Sequence, residues 1–379
     1  MQNLHAHSVF CDGKNTPEEM IRACLAAGMD SAGISIHSPL PFANGWAAKA
    51  ENVAPFLAEM RRLKAAYAGR IAVYAGVEWD VLSDEKWLEP FDYAIGSAHF
   101  LPVGGDPAAY PTVDDSPETT RRFLAEAFDG DSDAAAECYF AQLRRVADAP
   151  RAQVVGHFDL LTKFDEKERF FDETSPRYRA AALNAMDALV SAGKVFEVNT
   201  GAISRGWRTT PYPSRWILEQ LRRRNARVTI SSDSHHAATV DCAFDDAQRL
   251  LEACGFEEIW AFDGKAFVKR RIKDSAKKNH APPQKRKNRL RGCVCLCDCY
   301  SALSATPFAS SAARILRTKS SAFSPSPWTQ MESARRGISV PSTAVTTPSV
   351  TMRTTRSMAS VSSVIIAPGW LRGTSVPSG

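Results

Sequence analysis

Short apolar runs recur along the first 270 positions, separated by longer stretches that carry helix signals. The runs that read as strands are Met1–Leu4, Ser31–Ser35, Ile71–Val77, Tyr93–Ser97, Val154–Gly156, Val195–Asn199 and Val228–Ser231. Between the first two, Thr16 is placed to cap a helix, with Pro17 at its first position and Glu19 closing a capping box, and the helix runs out near Gly28. Ser175-Pro176 starts a second helix that ends by Gly193, and Ser214 starts a third. Strands alternating with helices predict parallel βα units. Seven of them predict an α/β fold, a distorted seven-stranded (β/α)7 TIM-like barrel, and an open doubly wound sheet is the alternative arrangement of the same pattern. The stretch Phe100–Glu137 is long for a loop in a compact domain and reads as a partly helical lid beside a site.

Near Ser275 the pattern stops. The remaining residues are rich in Ser, Thr, Pro and Arg, without helical or strand period. Such composition buries too little apolar surface to offset chain entropy, so residues 275–379 are expected to be a disordered basic tail and 1–274 the folded barrel. An out-of-frame end of the gene would have the same texture. Its Cys293-x-Cys295-x-Cys297-x-Cys299 run lacks the spacing of paired zinc knuckles.

Splitting the chain there changes the meaning of its net charge of +5. Residues 276–379 hold 15 Lys and Arg against two acids, so the first 275 carry a net −8. An acidic folded part is the reverse of what a nucleic-acid-binding surface needs, and no nucleic-acid partner is expected. The N-terminus does not resemble a signal peptide and no apolar stretch approaches 18 residues, so no membrane partner is expected. Five scattered cysteines in the folded part fit reduced thiols in a cytoplasmic protein.

Candidate chemistry concentrates at strand ends. Six of the eight histidines fall there: His5 and His7 after the first strand, then His37, His99, His157 and His235. Glu78 ends the third strand, and Asp233 precedes His235. In a parallel barrel these positions converge on the carboxyl-terminal rim, where catalytic groups collect. Imidazoles mixed with carboxylates suit zinc, manganese or iron better than magnesium or calcium. Any one of these histidines alone is as easily a core residue bonded to a carbonyl, and Asp12-Gly13 alone is as easily a turn. It is the set that points to metal.

That ordered set resembles the PHP (polymerase and histidinol phosphatase) superfamily: His5-Ala6-His7-Ser8, Cys11-Asp12-Gly13, Ile36-His37-Ser38, Gly96-Ser97-Ala98-His99, Gly156-His157-Phe158-Asp159 and Ser232-Asp233-Ser234-His235. The stretches Phe196–Gly201 and Gly156–Lys163 look most like its histidinol-phosphatase-type members. The resemblance implies two or three divalent transition metals. His5, His7, Glu78 and Asp233 would hold one, Glu78 bridging to a second on His99 and His157, and Asp12, His37 and His235 would hold a third. Many members carry histidine where Asp12 stands.

The implied reaction is hydrolysis of a small phosphomonoester, with L-histidinol phosphate as the leading substrate, and Glu78 and Asp233 count as catalytic. Arg205 and Lys163 are candidates for phosphate binding, Arg205 being expected to touch phosphate and no metal ligand. His236 is the candidate proton donor to the leaving group. Two other readings remain open, a phosphoesterase acting on nucleotides or nucleic-acid ends and a non-catalytic metal-binding barrel. The oligomeric state is not legible in the sequence.

Overall fold

Seven parallel strands form a ring in chain order: β1 Gln2–Asn3, β2 Ser31–His37, β3 Ala72–Asp80, β4 Tyr93–Ser97, β5 Val154–Val155, β6 Val195–Asn199 and β7 Arg227–Ser231. The computed structural model describes residues 1–272; the expected boundary at 274, the tail and its cysteine run lie outside the described residues. A parallel bridge between Ala6 and Ser234 joins the first and last strands. The His7 N–H donates to the Ser234 carbonyl (2.8 Å) and the Ser234 N–H to the His5 carbonyl (3.3 Å). An open doubly wound sheet would leave those strands apart, so the barrel is the arrangement this chain adopts. Closure falls between two metal-candidate motifs, so the seam of the barrel is also part of the site.

Every residue of β2, β4 and β6 is buried, as expected of parallel strands covered on both faces, and the polar ones among them include His37, Ser97 and Glu197. Helices α1 Pro17–Ala26, α2 Ala50–Ala66, α3 Pro117–Ala127, α4 Ser132–Arg144, α5 Asp165–Glu168, α6 Pro176–Ser191, α7 Gly201–Ser204, α8 Arg215–Arg223 and α9 Phe244–Ala253 complete the described chain with a few 3₁₀ turns. The Thr16 capping box forms as expected, with both reciprocal hydrogen bonds. The long stretch after β4 is partly helical, contributing a short turn at Pro107–Ala109 and helix α3. No helix among the described residues is long and apolar enough to cross a membrane.

An antiparallel hairpin absent from the predicted elements, β8 Glu258–Phe262 and β9 Phe267–Arg271, covers the amino-terminal end of the barrel. Gln2 clips it there, its side chain donating to the Phe262 carbonyl (2.9 Å) and accepting the Phe262 N–H (2.8 Å). Phe262 packs with Leu4, Tyr93, Ile95, Val154 and Val195 in a small cluster that plugs this end. Tyr93 is the plug's rigid part, its hydroxyl donating to the Leu4 carbonyl. It fits because Gly33 and Gly76 face it: a Cβ at either would stand 2.2 Å from the phenol. Gly76→Ala should therefore cost ~1–3 kcal/mol through overpacking. A fall of several degrees in the thermal midpoint checks this, and an unchanged midpoint would mean that the plug yields.

Candidate metal centre

The barrel brings all nine predicted ligands to its carboxyl-terminal rim. Alternate strand residues share a face, so His5 and His7 point together beyond β1, and Glu78 and Asp80 together at the end of β3. Glu78 is 1% exposed and lies at the middle. Its Oε2 stands 3.0 Å from His5 Nε2, 3.4 Å from His7 Nε2 and 3.1 Å from His37 Nδ1. Its Oε1 stands 3.2 Å from His99 Nε2 and 2.9 Å from His157 Nε2, and accepts the Ser97 hydroxyl at 2.8 Å.

Asp233 Oδ1 lies 3.3 Å from His7 Nε2 and 3.8 Å from His5 Nε2. Its backbone is left-handed (φ 45°), a conformation aspartate tolerates better than most residues, and one that strained functional positions often hold. Asp12 reaches His235 Nε2 at 3.1 Å through Oδ2 and His37 Nε2 at 3.6 Å through Oδ1.

Three groups of donor atoms lie close enough to share an ion: His7, Asp12, His37 and His235; His5, His7 and Asp233; and His37, Glu78 and His99. These overlap the division implied by the resemblance but differ from it: His7 and His37 each face two groups, Glu78 falls in one, and His157 falls in none. The fit to cations has direct support. His5 Nε2, His7 Nε2, His37 Nδ1 and Asp12 Oδ1 are buried without a hydrogen-bond partner, though each crowds other donor atoms. Buried polar atoms are rarely left this way, and cations held within these groups would satisfy them.

Burial opposes charge on His5 and His99, yet the carboxylates beside them hold both well above the usual imidazole range. Burial pushes Glu78 upward, but the surrounding His5, His37 and His99 hold it well below the usual carboxylate range. His7 is lowered to about 3 by burial and by neighbouring His235 and His37, which leaves it neutral and able to ligate.

A cavity of about 300 Å³ opens over the cluster. Arg205 and Lys163 both line it, as does Asp114 from the segment after β4. Neither cation is free, however. Lys163 donates to the Asp114 carbonyl (2.6 Å) and carboxylate (3.1 Å). Arg205 donates to the Asp233 carboxylate (2.9 Å) and carbonyl (3.0 Å), so it does touch a candidate ligand, contrary to expectation. The loop holding Arg205 turns back over β7 through α7, which carries the guanidinium to Asp233.

His236 does not reach the cavity. It is exposed, and its Nδ1 accepts the Ala238 N–H as the cap of a 3₁₀ turn. Ring geometry explains the outcome: consecutive residues beyond a strand diverge, so only His235 turns inward.

Sequence reasoning missed three residues. Trp46 lines the cavity and packs on His37 and His99, with ring centroids at 4.6 and 5.2 Å. Asp80 and Glu197 are buried acids in contact with candidate ligands. The period of two placed both acids on inward faces, which was a usable signal. Trp46 comes from a loop without periodicity.

A closed parallel barrel with a histidine–carboxylate cluster at its rim defines an α/β-barrel protein with a candidate metal centre. The PHP domain family matches residues 3–201, and the chain belongs to that family. A probable histidinol-phosphatase of Deinococcus radiodurans is 28% identical over 264 residues, covering 66% of this chain and 92% of that protein. The histidinol-phosphatase of Bacillus subtilis is 24% identical over 272 residues, 66% of this chain and 98% of the other.

Among solved structures, a putative histidinol phosphatase of Listeria monocytogenes superposes with a TM-score of 0.58 at 19% identity, over 65% of this chain and 99% of that one. The histidinol phosphate phosphatase of Lactococcus lactis, solved with zinc, L-histidinol and phosphate, gives a TM-score of 0.55 at 20% identity, over 70% and 98%. These likenesses establish the barrel fold.

Proposed function

We propose that this protein is a metal-dependent phosphomonoesterase that hydrolyses L-histidinol phosphate to L-histidinol and phosphate. The observation that carries the reading is the cluster of buried histidines and carboxylates at the barrel rim, several of whose donor atoms lack a hydrogen-bond partner, beneath one cavity. Its agreement with relatives named histidinol-phosphatase supports the substrate.

Zinc is the proposed metal, in two or three positions, with manganese or iron as the other candidates for the same donors. His5, His7, Glu78 and Asp233 would hold one ion, Glu78, His99 and His157 a second, and Asp12, His37 and His235 a third. When bound, such ions acidify water and neutralise charge on phosphoryl oxygens.

The chain's own contribution is placement. Lys163 has spent two of its three N–H donors on Asp114 and keeps one to offer a phosphate oxygen. Arg205 adds fixed positive charge beside Asp233. Trp46 walls the outer cavity, where an imidazole could stack, and covers the cluster from bulk water. With His236 outside the cavity, we assign proton delivery to the leaving group to water.

The test is phosphate release from a panel of small phosphomonoesters by protein reloaded with zinc or manganese, with elemental analysis of the same sample. We expect at least two ions per chain and L-histidinol phosphate as the preferred substrate. Turnover of a nucleotide in preference to it would overturn the substrate. Less than one ion per chain, with no gain on adding metal, would overturn the reading as a whole.

A further inference from the structure

Two carboxylates that no proposed ligand set includes stand behind the histidines on opposite sides of Glu78. Glu197, on β6, is 1% exposed and uses both oxygens. Its Oε1 accepts the His5 Nδ1–H at 2.6 Å and the Ser231 hydroxyl. Its Oε2 accepts the backbone N–H of His157 and the Asn199 side chain, each at 2.9 Å. Asp80, at the end of β3, is 2% exposed. Its Oδ2 accepts both the Nδ1–H and the backbone N–H of His99, at 2.9 and 3.0 Å, while Oδ1 accepts the Leu82 N–H at 2.8 Å.

The two arrangements match. An ionised carboxylate only accepts, so each one fixes its histidine's proton on Nδ1 and frees the lone pair of Nε2. His5 Nε2 then faces Glu78 Oε2 at 3.0 Å, and His99 Nε2 faces Oε1 at 3.2 Å. The opposite tautomer would aim an N–H at the place where the cation belongs. His157 differs, since its Nδ1 has no hydrogen-bond partner.

We propose that Glu197 and Asp80 are positioning residues that lock the tautomer and ring orientation of His5 and His99, so that each acid governs affinity for the ion on its own side of Glu78. The proposal rests on the metal-binding reading above and assigns to it two residues outside the ligand set. Carboxylates behind ligating histidines raise ligand basicity, and their loss typically weakens metal binding by about 10- to 100-fold.

The experiment uses the full-length chain, stripped of metal and titrated with zinc against a chromogenic chelator, in Glu197→Gln, Asp80→Asn and Ser231→Ala. Glu197→Gln and Asp80→Asn should each weaken one class of bound zinc by about 10-fold or more while leaving the remaining ions within about threefold of wild type. Ser231→Ala removes another hydrogen bond to Glu197 without touching His5, so it should lower the thermal midpoint yet keep zinc affinity.

Equal affinity in all variants would overturn the proposal, as would a uniform loss of every ion in step with a falling midpoint of the metal-free protein. If Glu197→Gln does not fold, Asp80→Asn decides alone. Failure of the underlying reading looks different, because wild type itself would then bind no zinc.

Discussion

Glu78→Gln should strip the protein of activity and of most of its metal. Glu78 meets five histidine nitrogens within 3.4 Å, those of His5, His7 and His37 on one oxygen and those of His99 and His157 on the other, so it joins both halves of the cluster. Glutamine keeps the shape and can keep the Ser97 contact, but it removes the buried negative charge and replaces one donor oxygen by an N–H₂ that cannot ligate. Its two positions are coupled through one residue, so losing the bridge weakens both. We expect a fall in turnover of about 10³-fold or more, equivalent to ~4 kcal/mol of barrier. Steady-state kinetics with metal analysis checks it. Wild-type zinc content in the variant would show that Glu78 is a bystander in the shell and that the bridging assignment is wrong.

Arg205→Ala has the second-largest expected effect, and it should act on two measurements at once. The guanidinium fixes Asp233 through its carboxylate and its carbonyl, and it also lines the cavity. Removing it frees the Asp233 side chain to swing and leaves its negative charge uncompensated. Losing charge-assisted contacts of this kind should cost on the order of 1.5–3 kcal/mol, roughly 10- to 100-fold in kcat/KM. Zinc affinity should fall as well, because a ligand has lost its support.

Lys163→Ala separates the two effects, since Lys163 contacts Asp114 and no candidate ligand. It should lower kcat/KM with metal content intact. If Arg205→Ala loses kcat/KM but holds all its zinc, the arginine serves phosphate alone. If neither quantity moves, it is a rim charge with no part in the site.

Much of the architecture was readable because buried parallel strands and capped helices carry local signatures. All seven barrel strands fall within a few residues of the apolar runs, and the Thr16 box and the helix after Ser175 form where their caps stand. The β8–β9 hairpin was not readable. Its exposed face mixes lysine and arginine with apolar residues, and what holds it is the packing of its own Phe262 into the barrel end.

The same division runs through the site. The candidate donors were legible, since histidines and acids at strand ends are improbable in a simple core. Contacts between those ends were not. His236 lies directly beside candidate ligand His235, yet the turn sends it to solvent. Arg205 looked free because nothing within its own loop could pair with it; Asp233 is 28 residues further along the chain.

The sequence by itself therefore determined the strand and helix order, the end of the strands at which chemistry gathers, and the kind of donor atoms offered to a metal. Those features come from periodicity, caps and side-chain chemistry, which are properties of neighbouring residues. Only the tertiary structure decided that the ring closes through Ala6 and Ser234, that Glu197 and Asp80 stand behind His5 and His99, and that both cavity cations are already tied to acids. Each of these joins residues from different strands or loops. The period of two says that a side chain points into the barrel, but what it meets there depends on the register of the other strands and on where the seam closes.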